Sequence, residues 1–156
     1  WEQPPEYSNI EFVPDWTRQK IQGYEILFIG GAISIDRAHR EKGVNWWPDE
    51  GVKERNPTTI SFSDLSDADI VVTHTAPQKF LNELLTEKQA KKIVGKIDEN
   101  LVQNILTEQE FLNMVYEDVK PPYWVHGHFH HHETKTVENT KVFSLAIDDF
   151  YDFHLK

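Results

Sequence analysis

Five of the eight histidines fall between His126 and His132, and three of those share the segment His126-Gly127-His128-Phe129-His130. In extended or loop backbone, residues two apart project to one side, so His128 and His130 can aim their imidazoles at a common point. Gly127 is expected to permit the unusual backbone this requires. His74 directly follows the expected buried strand Asp69-Ile70-Val71-Val72-Thr73 and is the natural third member. Histidine is the commonest metal-ligating side chain, so the chemistry suggested is divalent-metal binding. An ordinary reading competes, because a histidine cluster in a loop is also a solvated patch. His131 and His132 continue into Glu133-Thr134, His39 sits among charges, and His154 lies near the C-terminus. These four are read as solvated side chains. Arg37 and Arg40 follow Gly30-Gly31 and carry guanidinium groups that grip phosphate through paired hydrogen bonds. Arg37 is the candidate for substrate binding and Arg40 for a solvated salt bridge.

The elements that must position these groups follow from hydrophobic pattern. Asn9 to Val13 reads as a strand ended by Pro14-Asp15, and Lys20-Ile21 and Glu25 to Ile29 flank a Gln22-Gly23 turn. Ile26 to Ile29 is continuously apolar and predicts a buried strand, and Asp69 to Thr73 reads as a second one. Asp36 to Lys42 suggests one helical turn, and Lys79 to Ile105 suggests two short helices interrupted near Gly95. Thr107-Glu108-Gln109-Glu110 has the form of a capping box opening a helix that carries Phe111, Leu112, Val115 and Tyr116, stopped by Pro121-Pro122. Tyr123 to Val125 is another buried strand, and Thr136-Val137 and Val142 to Ile147 close the domain around Asn139-Thr140. A glycine or histidine thus stands at the end of three buried strands: Ile29-Gly30, Thr73-His74 and Val125-His126. In open α/β sheets, functional groups gather beyond the carboxyl ends of strands.

A chain of 156 residues suits one domain, here the whole of 1–156. A formal net charge of −10 with scattered Lys and Arg argues against long nucleic acid as the main partner, since phosphate backbones are bound by clustered cations. The absence of cysteine excludes disulfides, thiolate ligands and a cysteine nucleophile. Any metal must then be held by His, Asp, Glu, Asn or water. No apolar stretch approaches 18 residues, which together with zero Cys suggests a cytoplasmic protein with no membrane partner.

Three stretches resemble the calcineurin-like metallophosphoesterase family. Gly30-Gly31-Ala32-Ile33-Ser34-Ile35-Asp36-Arg37, followed by Trp46-Trp47-Pro48-Asp49-Glu50, looks like the middle of a bacterial or phage branch. Asp69 to Pro77 looks like the family's strand-then-His motif, and Trp124 to His130 like its terminal Gly-His-x-His motif. The resemblance implies an α/β (α+β) fold, with this chain as the C-terminal part of a two-sheet β-sandwich flanked by helices. It implies two divalent cations (Mn, Fe or Zn), with His74 and His128 on one, His130 on the other and His126 as a neighbour supporting the ligands. A phosphorylated substrate, monoester or diester, would be hydrolysed by a metal-activated water.

No Gly-Asp or Gly-Asn-His segment occurs in this sequence, and no Asp-x-His precedes the three matched stretches. The expectation is therefore an N-terminally incomplete domain, alone weakly metal-binding and inactive, with the remaining ligands supplied by a missing segment or a complementary N-terminal half. The alternative expectation is a non-catalytic half-domain that acts by associating with another chain.

Overall fold

The computed structural model describes residues 10–53, 55, 65–81 and 99–152. The first two strands, β1 (Thr17–Ile21) and β2 (Tyr24–Ile29), form a hairpin. Its two-residue turn has Gln22 at φ 52° and Gly23 at φ 93°, and two consecutive positive φ values match the twist of paired strands. The remaining strands are β3 (Ile70–Thr73), β4 (Tyr123–His126), β5 (Glu133–Val137) and β6 (Thr140–Ser144). All six join one sheet in the order β1-β2-β3-β4-β6-β5. β2, β3, β4 and β6 run parallel, and the outer pairs β1–β2 and β5–β6 are antiparallel. The architecture is mixed α/β.

Parallel neighbours need a crossover, and the one between β3 and β4 contains the helix α1 (Glu99–Val119). Leu101, Ile105, Leu112, Val115, Tyr116 and Val119 are buried on one helix face. The C-terminal part packs with Phe80, Trp124, Leu27, Ile29, Val71 and Val142 in the main core. The N-terminal part, Leu101 and Ile105, packs on Ile33 and Ile35 and so holds the segment after β2. Ile70, Val125 and Phe143 lie in a separate cluster, with half-buried Tyr24, Ile26, Val72 and Tyr123 against them. The period-2 alternation along β2, β3, β4 and β6 divides these two faces.

Several sequence expectations change. α1 begins by Glu99, eight residues before the proposed capping box, so Thr107 is a mid-helix residue. Its hydroxyl donates to the Gln103 carbonyl at 2.9 Å, one turn back, instead of capping an amide. The local Thr-x-x-Glu signal was outweighed by apolar packing at Leu101 and Ile105, which extends the helix backwards. Residues 10–13 are irregular, not a strand, and the expected helical turn after Asp36 is a short 3₁₀ turn, Arg37–His39. Lys79 falls in another 3₁₀ turn, Gln78–Phe80, while most of the expected helical stretch around Gly95 lies outside the described residues. α1 ends as expected at Pro121-Pro122, after Lys120 turns left-handed at φ 42° with its N–H donating to the Tyr116 carbonyl. The second sheet of a sandwich is not among the described residues. No described helix is long and apolar enough to cross a membrane.

Glu108, 3% exposed, joins α1 to the functional loops. One carboxylate oxygen accepts from Val52 N–H at 3.0 Å and the other from Ile33 N–H at 3.3 Å. Glu108→Ala is expected to cost about 2–3 kcal/mol, because it strands two backbone donors. Thr107→Ala should stay within about 0.5 kcal/mol of the parent, as a mid-helix surface change does. Urea unfolding of the two variants checks both; a loss near 1 kcal/mol at Thr107 would restore the capping role.

Candidate functional site

The parallel register brings the carboxyl ends of β2, β3, β4 and β6 to one side of the sheet, pairing Ile29 with Thr73, Thr73 with His126 and His126 with Ser144. His74 and Gly127 are therefore neighbours in space. A buried chain of hydrogen bonds fixes them. Trp124 Nε1–H donates to Thr73 Oγ1 at 2.9 Å, and the Thr73 hydroxyl donates to the Thr75 carbonyl. Gly127 N–H donates to the His74 carbonyl at 3.0 Å, and Leu145 N–H to the His126 carbonyl at 2.8 Å. The backbone of His74 is thus held from both sides.

Beyond these ends lies a cavity of about 300 Å³ whose lining includes Ser34, Asp36, Arg40, His74, His128 and His130. The three expected ligand histidines meet in one place. The His74 and His128 rings stand edge to face with centroids 5.0 Å apart. Burial pushes the His128 imidazole down to about 4, and the other imidazoles beside it push the same way. His74 is also lowered, first by desolvation and then by His130. His74 and His128 are therefore neutral at physiological pH, with a lone pair on each ring: the protonation state in which imidazole ligates metal.

The backbone around the motif differs from expectation at one point. Gly127 has no left-handed φ, and a Cβ there would meet only Leu145 O at 3.8 Å and His74 O at 4.0 Å. The unusual conformation belongs to the histidines themselves, His128 at φ 66° and His130 at φ 51°. Phe129 N–H donates to the Gly127 carbonyl at 2.8 Å across His128, closing a three-residue turn of the strained, positive-φ kind. Two non-glycine left-handed residues in one motif cost on the order of 1 kcal/mol each, and such strain clusters at functional sites.

His126 does not line the cavity. It is 2% exposed at the end of β4, with Nδ1 3.2 Å from the Gly127 carbonyl and Nε2 without a partner among the described residues. Phe129 stands edge-on to both His126 and His128, so His126 supports the turn from below. His132 is engaged by Asp149 at 2.6 Å, the His131 carbonyl accepts from Ser144 Oγ, and His39 is exposed; His154 lies outside the described residues.

Arg37 lines a neighbouring cavity, with its guanidinium 5.8 Å from the Trp46 ring centroid, rather than the histidine cavity. The arginine at the histidines is Arg40, held by Asp36 Oδ1 at 2.6 Å and by the Asn45 carbonyl at 3.0 Å. Ser34 and Asp36 are members that sequence reasoning missed, whereas Arg40 makes the exposed salt bridge expected of it, to Asp36, and does so beside the histidines. The signal available was their place just beyond β2, whose end aligns with those of β3 and β4. Glu50 fixes this segment through Ser34 N–H at 2.6 Å and Ser34 Oγ at 3.1 Å. Gly31, at φ 98°, passes so close to the Glu50 carbonyl that a Cβ would lie 2.8 Å from it. The Gly-Gly pair therefore serves a turn and a close backbone approach.

The donor types suit a divalent cation, but their spacing does not complete a cage. Among the described residues no group of three His, Cys, Asp or Glu side chains stands ready to hold a metal. The described residues offer a histidine pair with His130 and Asp36 on the same cavity wall. Compared with known proteins, the chain matches no family model and no curated protein sequence.

Two measurements follow from this geometry. Thr73→Val keeps the side-chain shape but strands the Trp124 indole N–H in the core, at an expected cost of about 1–3 kcal/mol by urea unfolding. His126 contributes to the pH dependence in the same window as His128. Burial lowers it to about 4, whereas the unfolded chain takes up that proton below 6.5. Stability is therefore full above 6.5, falls as the pH drops toward 4 and levels below it, a loss of about 3 kcal/mol from this residue. With chelator present, His126→Phe should reduce the slope of unfolding free energy between pH 6.5 and 4, leaving the part that His128 contributes; parallel slopes would refute the assignment.

Proposed function

We propose that this chain carries part of a metal-dependent phosphoesterase site that hydrolyses a phosphomonoester or phosphodiester. The observation that carries the reading is the convergence of His74, His128 and His130 on one cavity at the carboxyl ends of parallel strands. Neutral imidazoles add no negative charge to repel a phosphoester, and Arg40 offers a guanidinium oriented by Asp36. Divalent cations, Mn, Fe or Zn, would supply Lewis acidity and an activated water. Because the described residues make no three-donor cage, the proposal includes further ligands from another segment or a complementary chain. The proposed setting is the cytoplasm.

The half-domain alternative is favoured by a different observation. Tyr24, Ile26, Val72 and Tyr123 form a half-buried apolar row on the sheet face opposite α1. A second sheet, completing a β-sandwich of metallophosphoesterase type, would pack there whether or not the assembly is catalytic.

The test combines binding and turnover. Titration with Co(II), read by absorbance, is expected to show binding that weakens at least about tenfold in His74→Ala and in His128→Ala. Turnover of aryl phosphate mono- and diesters with Mn(II) should be lost in the same variants, in whichever assembly supplies the remaining ligands. His130→Gly should weaken metal binding while leaving stability within about 1 kcal/mol of the parent or raising it, since glycine relieves the left-handed strain. Absence of binding to Co(II), Mn(II) and Zn(II) would sink the metal-site reading.

A further inference from the structure

The cavity beside Arg37 is distinct from the histidine cavity and shares a wall with it. Ile33 and Arg37 face this second space of about 170 Å³, while Ala32, Ser34, Ile35 and Asp36 face the first. Trp46 and Trp47 form its aromatic side, with Trp47 49% exposed, and Lys53, Asn104 and Thr107 contribute polar rim. The backbone that carries the two tryptophans is held by its own hydrogen bonds. Gly43 N–H donates to the Trp46 carbonyl at 2.8 Å, Trp47 N–H to Glu50 Oε2 at 3.3 Å, and Glu50 N–H to the Trp47 carbonyl at 3.2 Å. With the Asn104 amide oriented to satisfy its neighbours, its oxygen accepts from both terminal nitrogens of Arg37 at 3.2 Å. Arg37 is thereby held at the Trp46 ring, where it already fills the position a ligand cation would take.

The two carboxylates at this cavity are engaged by backbone amides, Glu50 by Ser34 and Trp47, and Glu108 by Ile33 and Val52. Aromatic surfaces on a hydrogen-bonded backbone, an occupied cation position and a Lys53 ammonium at the rim favour a neutral or anionic planar ring with acceptor atoms on its edge. Stacking on tryptophan and arginine is how proteins hold such rings without reading their sequence context.

We propose that the cavity bounded by Arg37, Trp46, Trp47 and Asn104 binds a nucleobase-type heterocycle. The assignment stands whether or not the histidine cavity hydrolyses anything.

Adenosine, adenosine 5′-monophosphate and ribose 5-phosphate separate the ring from the phosphate as probes. In nitrogen-labelled protein, adenosine and the monophosphate are expected to shift the indole N–H signals of Trp46 and Trp47 saturably; ribose 5-phosphate should not. Trp47→Ala, at a half-exposed position, should weaken adenosine binding about tenfold or more, from the loss of one stacking surface. Asn104→Leu, which releases Arg37, should weaken it as well. His130→Ala should leave adenosine binding unchanged, so a failed metal site and a failed ring site give different results. No saturable shift at millimolar adenosine, shifts confined to other indoles, or parent-like binding in both Trp47→Ala and Asn104→Leu would overturn the proposal.

Discussion

Everything at the candidate site depends on the parallel alignment of β2, β3, β4 and β6. Antiparallel neighbours would send alternate strand ends to opposite edges of the sheet. Here Gly30, His74 and Gly127 leave the same edge, although more than 40 residues separate each from the next. The alignment is closed by bonds just past the ladder, above all the Gly127 amide on the His74 carbonyl. That bond sets the spacing between the two loops that carry the histidines. The buried Trp124–Thr73–Thr75 chain then stops the His74 loop from sliding along the strand axis.

The site is expensive in two separate ways. Desolvation drives His126 and His128 down to about 4, so the fold resists the charged forms of both. Left-handed backbone at His128 and His130 adds conformational strain that glycine would avoid. The left-handed strain does not help the sheet to fold, since β4 ends before His128 and His130. Both features are consistent with an imidazole pair held neutral and pointed into a shared cavity. The burial of His126 makes more sense as support: its ring backs Phe129, which in turn backs His128.

Much of the strand framework was legible because apolar runs and turn residues act locally. Ile26 to Ile29, Asp69 to Thr73 and Tyr123 to Val125 carry apolar runs that form strands buried toward α1 and half-buried at Ile26, Val72 and Tyr123 on the other face, and the Gln22-Gly23 turn needs only two positive φ values. The convergence of His74, His128 and His130 was legible for the same reason, as each follows a strand end. What escaped depends on tertiary choice. Thr107 has the chemistry of a cap, but Leu101 and Ile105 bury against Ile33 and Ile35 and draw the helix start past it. Arg37 and Arg40 both follow the glycines, and only the path of the 3₁₀ turn decides that Arg40 joins the histidines. Glycine content pointed to Gly127 as the strained position, whereas the strain sits on the ligand candidates themselves.

The segment from Ala32 to Arg37 explains how one short piece of chain serves two cavities. It has little secondary structure of its own, so its shape must be imposed by others. Glu50 takes the Ser34 amide and hydroxyl, Glu108 takes the Ile33 amide, and α1 buries the two isoleucines between them. The two carboxylate anchors come from different parts of the chain, and each satisfies with backbone amides a charge that would otherwise face the cavities without those donors. For an acidic protein of net charge −10, this is a direct way to line two spaces with arginine, histidine and tryptophan while keeping carboxylates turned toward backbone amides. Asp36 is the exception, turned to Arg40 at the histidine cavity, and there the pairing orients a cation instead of a loop.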